Sequence, residues 1–306
     1  MLLVFLATEV AIRQVVLPRS QSASTIRSAQ VNGSSLNDDE FNAAVFGNSY
    51  TLCGIDAREV QKGEPLSAKK SKIRVHALNG SYVCEWYWLA KLCYLSSPVK
   101  PDVLVLNVGK TSLRDRDAIS HRRLALNFGM TKLPVVPMDD LGRNKKVIEF
   151  LLSRYSMLIN RGRNIGEQVS IKLIPNFAQT QKQLINRKKT QDKLKSNPSP
   201  TSFPDSMNVA ERFFSDCRAA GVHVIVVVMP HRSPYEIDQS AADLFEESKD
   251  WVTIIDHRDL ATLTNLDFKD EVHMTHSGQA KYTPIYIKDL VARLSEVASK
   301  ASGKLR

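Results

Sequence analysis

"GVHVIVVVMP", Gly221 to Pro230, decides the fold. Its apolar residues neither alternate with polar ones nor recur at helical spacing, so the run reads as a strand covered on both faces. Such strands belong to parallel sheets with helices on each side. "PDVLVLNVG" (101–109) has the same character, and "NAAVFGNS" near 42 to 49, "KIRVHAL" at 72 to 78 and "WVTIIDH" at 251 to 257 read as further strands. Between them lie helical patterns. In "DSMNVAERFFSDCRAAG", Ala210, Phe213, Phe214 and Cys217 fall on one helical stripe, with Asp205 or Ser206 as cap and Gly221 as stop. A last helix over about Gln279 to Val297 repeats the stripe with Tyr282, Ile285, Tyr286, Leu290 and Leu294. Strands alternating with helices predict an α/β fold: three layers (αβα) around a doubly wound, mostly parallel sheet, whose sites lie beyond the carboxyl ends of the strands.

Working outward, 306 residues with 43% hydrophobic content suffice for a substantial core. The net charge of +10 sits in one place: residues 141 to 200 hold thirteen Lys and Arg against Glu149, Glu167 and Asp192. That stretch interrupts the strand–helix rhythm, and 141–205 reads as a basic helical insertion ending in the loop "SNPSPTSFP". Within it, "INRKKTQDKLK" (185–195) is free of aromatics, so stacking on bases is unsupported and a solvated basic helix is the better reading. No nucleic-acid partner is expected; a surface-binding role for residues 181 to 195 would show as steep salt dependence.

The opening "MLLVFLATEVAIRQVVLP" falls short of a bilayer span and lacks a basic leader, so residues 1–18 read as an amphipathic helix or an interrupted membrane anchor. Residues 19–40, rich in Ser and Asn, read as a polar linker, followed by a folded domain over 41–298 and a polar tail over 299–306. That layout leans toward a membrane-anchored or exported protein facing the extracytoplasmic side, with a cytoplasmic location as the alternative. Cys53, Cys84, Cys93 and Cys217 form no metal-binding or disulfide pattern, although Cys84 and Cys93 could pair in an oxidising compartment. No metal or other cofactor is expected.

Several motifs carry chemistry at first sight. "LNVGKTS" (106–112) ends like a phosphate loop, but Leu104 stands where the first glycine belongs. "HMTHSG" places His273 and His276 three apart, near Asp267 and Asp270, without the third or fourth converging ligand that a metal needs. "AVFGNSYTLCGID" (44–56) ends a buried strand abruptly at Gly47, Asn48 and Ser49. A serine there is commonly a turn or cap residue. As a nucleophile it needs a base, a group orienting that base and donors for the oxyanion. "DFKDEVHMTHSG" supplies Asp270 and His273 just before the final helix.

On these residues the chain resembles the SGNH/GDSL hydrolase superfamily. The family's first block, Gly-Asp-Ser after the first strand, appears as Gly47-Asn48-Ser49-Tyr50, and its last, Asp-x-x-His with a glycine five residues on, as Asp270, His273 and Gly278. The resemblance implies a flavodoxin-like SGNH fold and assigns nucleophile, base and orienting carboxylate to Ser49, His273 and Asp270, with His276 the rival base. It implies an oxyanion hole from the backbone N–H groups of Ser49 and Gly80. The third block, Gly-x-Asn, departs: this chain reads Gly109-Lys110-Thr111, leaving Thr111 or Asn107 as substitutes. The implied activity is a serine-dependent ester hydrolase or acyltransferase working through an acyl-enzyme on an acylated glycan or other small ester. The alternative is a weakly active or inactive relative that binds a glycan or cell-envelope partner.

Overall fold

The apolar runs fold as five strands: β1 (Glu40–Gly47), β2 (Lys70–Ala77), β3 (Val103–Val108), β4 (His223–Val228) and β5 (Val252–Asp256). The computed structural model describes Val10 and residues 21–62, 70–115 and 206–303. Apart from Val10, these belong to one compact unit built from Arg19–Ser120 and Pro204–Arg306. The expected basic insertion over 141–205 and most of the expected N-terminal anchor lie outside the described residues.

All strand pairs are parallel and the order is β2-β1-β3-β4-β5. This is the flavodoxin-like doubly wound order, in which the winding reverses between β1 and β3 and opens a crevice at their carboxyl ends. Burial explains which runs were uninterrupted in sequence. Every residue of β3 is buried, as are Val224 to Val228 of β4, because helices cover both faces. The edge strands β2 and β5 keep exposed residues.

Around the sheet run α1 (Gln21–Ser34), α2 (Ser49–Gly54), α3 (Ala57–Lys62), α4 (Val83–Ala90), α5 (Asn208–Ala219), α6 (Gln239–Glu247) and α7 (His276–Gly303). Val103, Val105, Ile225 and Val227 pack on one face with Tyr282, Tyr286, Leu290 and Leu294 of α7. On the other face Phe46 meets Tyr94, in the π-helical turn Lys91–Leu95 that continues α4, and Tyr87 meets Phe213 of α5. Each large apolar side chain so buried contributes about 1.5–3 kcal/mol.

Four expectations need correction. The stretch read as a polar linker forms α1, which buries Ala23, Ile26 and Ala29. Gly33 lets it approach the backbone of Cys93 so closely that a Cβ there would stand 1.8 Å from the carbonyl oxygen. The last helix starts at His276 and runs to Gly303, into residues read as a tail. Ser206 does not cap α5, and Asp205 lies outside the described residues; Asp115 reaches across and accepts from the N–H groups of Asn208 and Val209, at 3.0 and 3.1 Å. No disulfide joins Cys84 and Cys93. Among the described residues no helix is long and apolar enough to cross a membrane.

Candidate active site

The carboxyl ends of the strands gather the predicted residues into two halves. The first grows from β1. Gly47 is required by packing, since a Cβ on it would stand 1.9 Å from Thr51 Oγ1, which folds back over the strand end. Asn48 is the N-cap of α2: its side-chain oxygen accepts from Tyr50 N at 2.9 Å, satisfying an N–H that has no partner within the helix. Ser49 is then the first helical residue, half-buried. Beside it, the turn after β2 is closed by Ser81 N donating to Leu78 O at 3.1 Å, with Gly80 at φ 65, a left-handed conformation that favours glycine. The turn is tied to β1 through Leu78 N and Ser81 Oγ, both donating to Gly47 O. Among the described residues, the backbone N–H groups of Ser49 and Gly80 have no hydrogen-bond partner.

The second half is the loop before α7. A bridge between Phe268 and Met274 closes it into a narrow hairpin. Inside, Asp270 Oδ1 accepts from Val272 N at 3.0 Å and His273 N at 2.9 Å, and the carboxylate holds His273 Nδ1 at 2.8 Å from Oδ2 and 3.0 Å from Oδ1. The Val272 N–H, then the imidazole and the His273 N–H, draw the Asp270 carboxyl down to about 2, so it is ionised at any working pH. The motif glycine has a steric reason: a Cβ on Gly278 would stand 2.2 Å from Asp267 O. Thr275, whose Oγ1 accepts from Gly278 N, caps the helix. The rival base His276 is exposed and makes no contact with Asp270.

The halves meet through Tyr50, whose ring centroid lies 5.9 Å from that of His273. The expected third link is open: among the described residues the Ser49 hydroxyl has no hydrogen-bond partner, His273 included. The two substitutes for the missing asparagine differ in placement. Asn107 is fully buried, with its side-chain oxygen accepting from Tyr286 OH at 3.0 Å on the α7 face of the sheet, away from the turn after β3. Thr111 lies half-buried in that turn, which is closed by Gly109 N donating to Ser112 Oγ and Ser112 N to Gly109 O.

Sequence reasoning missed His231, just past β4. Its ring stacks on Tyr235 at 4.0 Å and meets Tyr50 edge-on at 5.5 Å. A Cβ on Gly109 would stand 2.3 Å from the Tyr50 ring and 3.0 Å from His231 Nε2, so all three converge on one point. Burial pulls the His231 pKa down to about 4. The next residues bind the base loop: Arg232 N donates to Glu271 O at 2.9 Å, and Ser233 N to its carboxylate at 3.1 Å. A hollow of about 440 Å³ opens here, lined by His231, Arg232, Arg258, Thr264 and Phe268 among others. A larger groove of about 670 Å³ lies along the outer flank of α7 and touches the loop only at His276. The only sequence signal for His231 was a polar residue directly after a buried strand.

Fold and site together define a three-layer α/β protein with an Asp–His pair beside a serine-bearing turn at the strands' carboxyl ends. No family model matches the chain, and no curated protein does. Among solved structures it is similar to a GDSL-like lipase from Bacteroides thetaiotaomicron, with 11% identity, TM-score 0.41, and coverage of 89% of this chain and 99% of that one. It is also similar to a Bacteroides fragilis protein designated an acylhydrolase, with 10% identity, TM-score 0.40 and the same coverage. The functional reading rests on the residues of this chain.

Proposed function

We propose that the protein is a serine-dependent ester hydrolase or acyltransferase. The observation that carries this reading is the Asp270–His273 pair: a carboxylate held by two backbone N–H groups fixes Nδ1 and leaves Nε2 free to act as base. In the first step Ser49 Oγ bonds to the acyl carbon while its proton passes to His273 Nε2. The carbonyl electrons move onto oxygen, which the N–H groups of Ser49 and Gly80 receive. Collapse of this adduct expels the alcohol, which takes the proton from His273, and leaves the acyl group on Ser49. Water or a second hydroxyl then resolves the ester by the same steps in reverse. The open Ser49–His273 contact suits a site without substrate, where catalytic hydrogen bonds are commonly long.

An acylated glycan or other small ester is the substrate class, and anchoring or export through residues 1–18 accords with it. The second reading, a scaffold that binds a glycan or envelope partner without turnover, is favoured by the missing Gly-x-Asn asparagine. A fluorophosphonate probe separates the two. Covalent labelling of the wild type that Ser49→Ala and His273→Ala abolish supports the enzyme; no labelling, or equal labelling of Ser49→Ala, refutes it.

A further inference from the structure

We propose that His231 is the third oxyanion donor of this site, its Nε2–H replacing the side-chain amide that the turn after β3 lacks. The proposal rests on the acyl-transfer reading above and concerns the fold's switch point. The β1–β3 register ends with Phe46 opposite Leu106, and Ser49 and Gly109 each follow three residues on, beyond the ends of their strands. The β3–β4 register ends at Val108 with Val228, and His231 follows three residues beyond it. Ser49, Gly109 and His231 thus follow the ends of three adjacent strands, β1, β3 and β4, with the Gly80 turn after β2 on the other side of β1.

Three observations give His231 this role. Its Nε2 is buried without a hydrogen-bond partner, which is costly for a group that only fills space. It lies 3.0 Å from where a Cβ on Gly109 would stand, with the Tyr50 ring edge 2.3 Å from the same point, so a group that displaces that edge from Gly109 meets Nε2. Its ring is stacked on Tyr235 at 4.0 Å, which fixes the direction of Nε2 as a preorganised donor requires. Burial also keeps the ring neutral at pH 7, so it serves as a donor that carries no charge before the oxyanion forms. The incoming carbonyl oxygen takes the place of the Tyr50 ring edge against Gly109 and Nε2.

The test compares His231→Phe, which keeps an aromatic ring and removes the donor, with His231→Gln, which returns an N–H near Nε2. Acylation of Ser49 is followed by the p-nitrophenyl acetate burst and by the fluorophosphonate labelling rate, with thermal melts alongside; His231→Leu replaces Phe if Phe does not fold. The expected result is a loss of about 100–1000-fold in kcat for Phe at little-changed KM and melting temperature, and recovery of at least about tenfold in Gln. Rates for Phe within about threefold of wild type overturn the proposal, as does a Gln variant as slow as Phe. In both cases wild-type labelling at Ser49 leaves the enzyme reading standing. A wild type that is not labelled overturns both.

Discussion

Replacing Asp270 by Asn tests the catalytic reading where the structure constrains it most. The carboxylate has two jobs on separate oxygens: Oδ1 accepts from the backbone N–H groups of Val272 and His273, and Oδ2 makes the shorter contact, 2.8 Å, with His273 Nδ1. An asparagine keeps its carbonyl oxygen where two N–H donors point, so the amide NH₂ must take the Oδ2 position. It then faces Nδ1 as a donor and selects the imidazole tautomer protonated at Nε2, which cannot accept the serine proton. The loop survives and the base is lost. By analogy with serine hydrolases in which the wrong tautomer is imposed, kcat should fall by about 10⁴, while two retained backbone bonds keep the stability change within about 1 kcal/mol. Asp270→Ala loses both functions and should also lower the melting temperature. Hydrolysis of p-nitrophenyl acetate gives the rate, and nitrogen-15 shifts of the His273 ring report the tautomer directly. An Asn variant within about tenfold of wild type, or one keeping the proton on Nδ1, would refute the reasoning.

Other consequences follow from the same coordinates. Gly278→Ala drives a Cβ to 2.2 Å from a backbone oxygen and should cost about 1–3 kcal/mol in chemical denaturation, with lower activity because the base loop shifts. Gly221→Ala, at φ 70 with open space around it, should cost only the left-handed penalty of about 1–2 kcal/mol and leave activity intact; equal losses in both rates and stabilities would contradict this. His76, fully buried against Tyr94, is held by burial, and then by Arg74, at a pKa of about 3. The unfolded chain therefore binds a proton below about pH 6.5 that the folded chain refuses, and stability must fall as the solution is acidified from there. The loss from this residue is roughly 3 kcal/mol by pH 4, so urea midpoints of His76→Leu measured at pH 7 and pH 4 should differ less than those of the wild type.

How far the sequence could be read depended on whether a local pattern carried the information. Uninterrupted apolar runs identified β3 and β4 because double coverage removes any polar face, while at the edges β2 and β5 keep enough apolar residues to be read despite their exposed positions. Helix α1 was invisible for the opposite reason. Its buried stripe is Ala23, Ile26 and Ala29, of which only Ile26 is large, amid Gln, Ser and Asn, and its fit depends on a glycine contact with a turn sixty residues away. Asn107 was misjudged although the chain held the answer: it shares strand parity with Val103 and Val105, so it must face α7 as they do. Beyond its place directly after a buried strand, His231 had no local signature, since its unpartnered nitrogen and its approach to Gly109 exist only once β3 and β4 are side by side.

The site's two halves are held by different parts of the chain, and this bears on the open contact between Ser49 and His273. The serine half is fixed to the sheet through Gly47 and the β2 turn. The base half is fixed to α7 through the cap at Thr275 and to the β4 loop through Glu271. What joins them is the docking of α7 on α2: Gln279 Nε2 donates to Ile55 O at 2.8 Å and Leu52 O at 3.3 Å, and Asp56 N donates to Thr283 Oγ1 at 3.0 Å. These bonds lie at the far end of α2 from Ser49, and none of them pins the Ser49–His273 contact itself. Under the proposed mechanism the Ser49–His273 link forms as substrate enters the crevice, and Tyr50, whose ring meets both His273 and His231, is the part that has to give way.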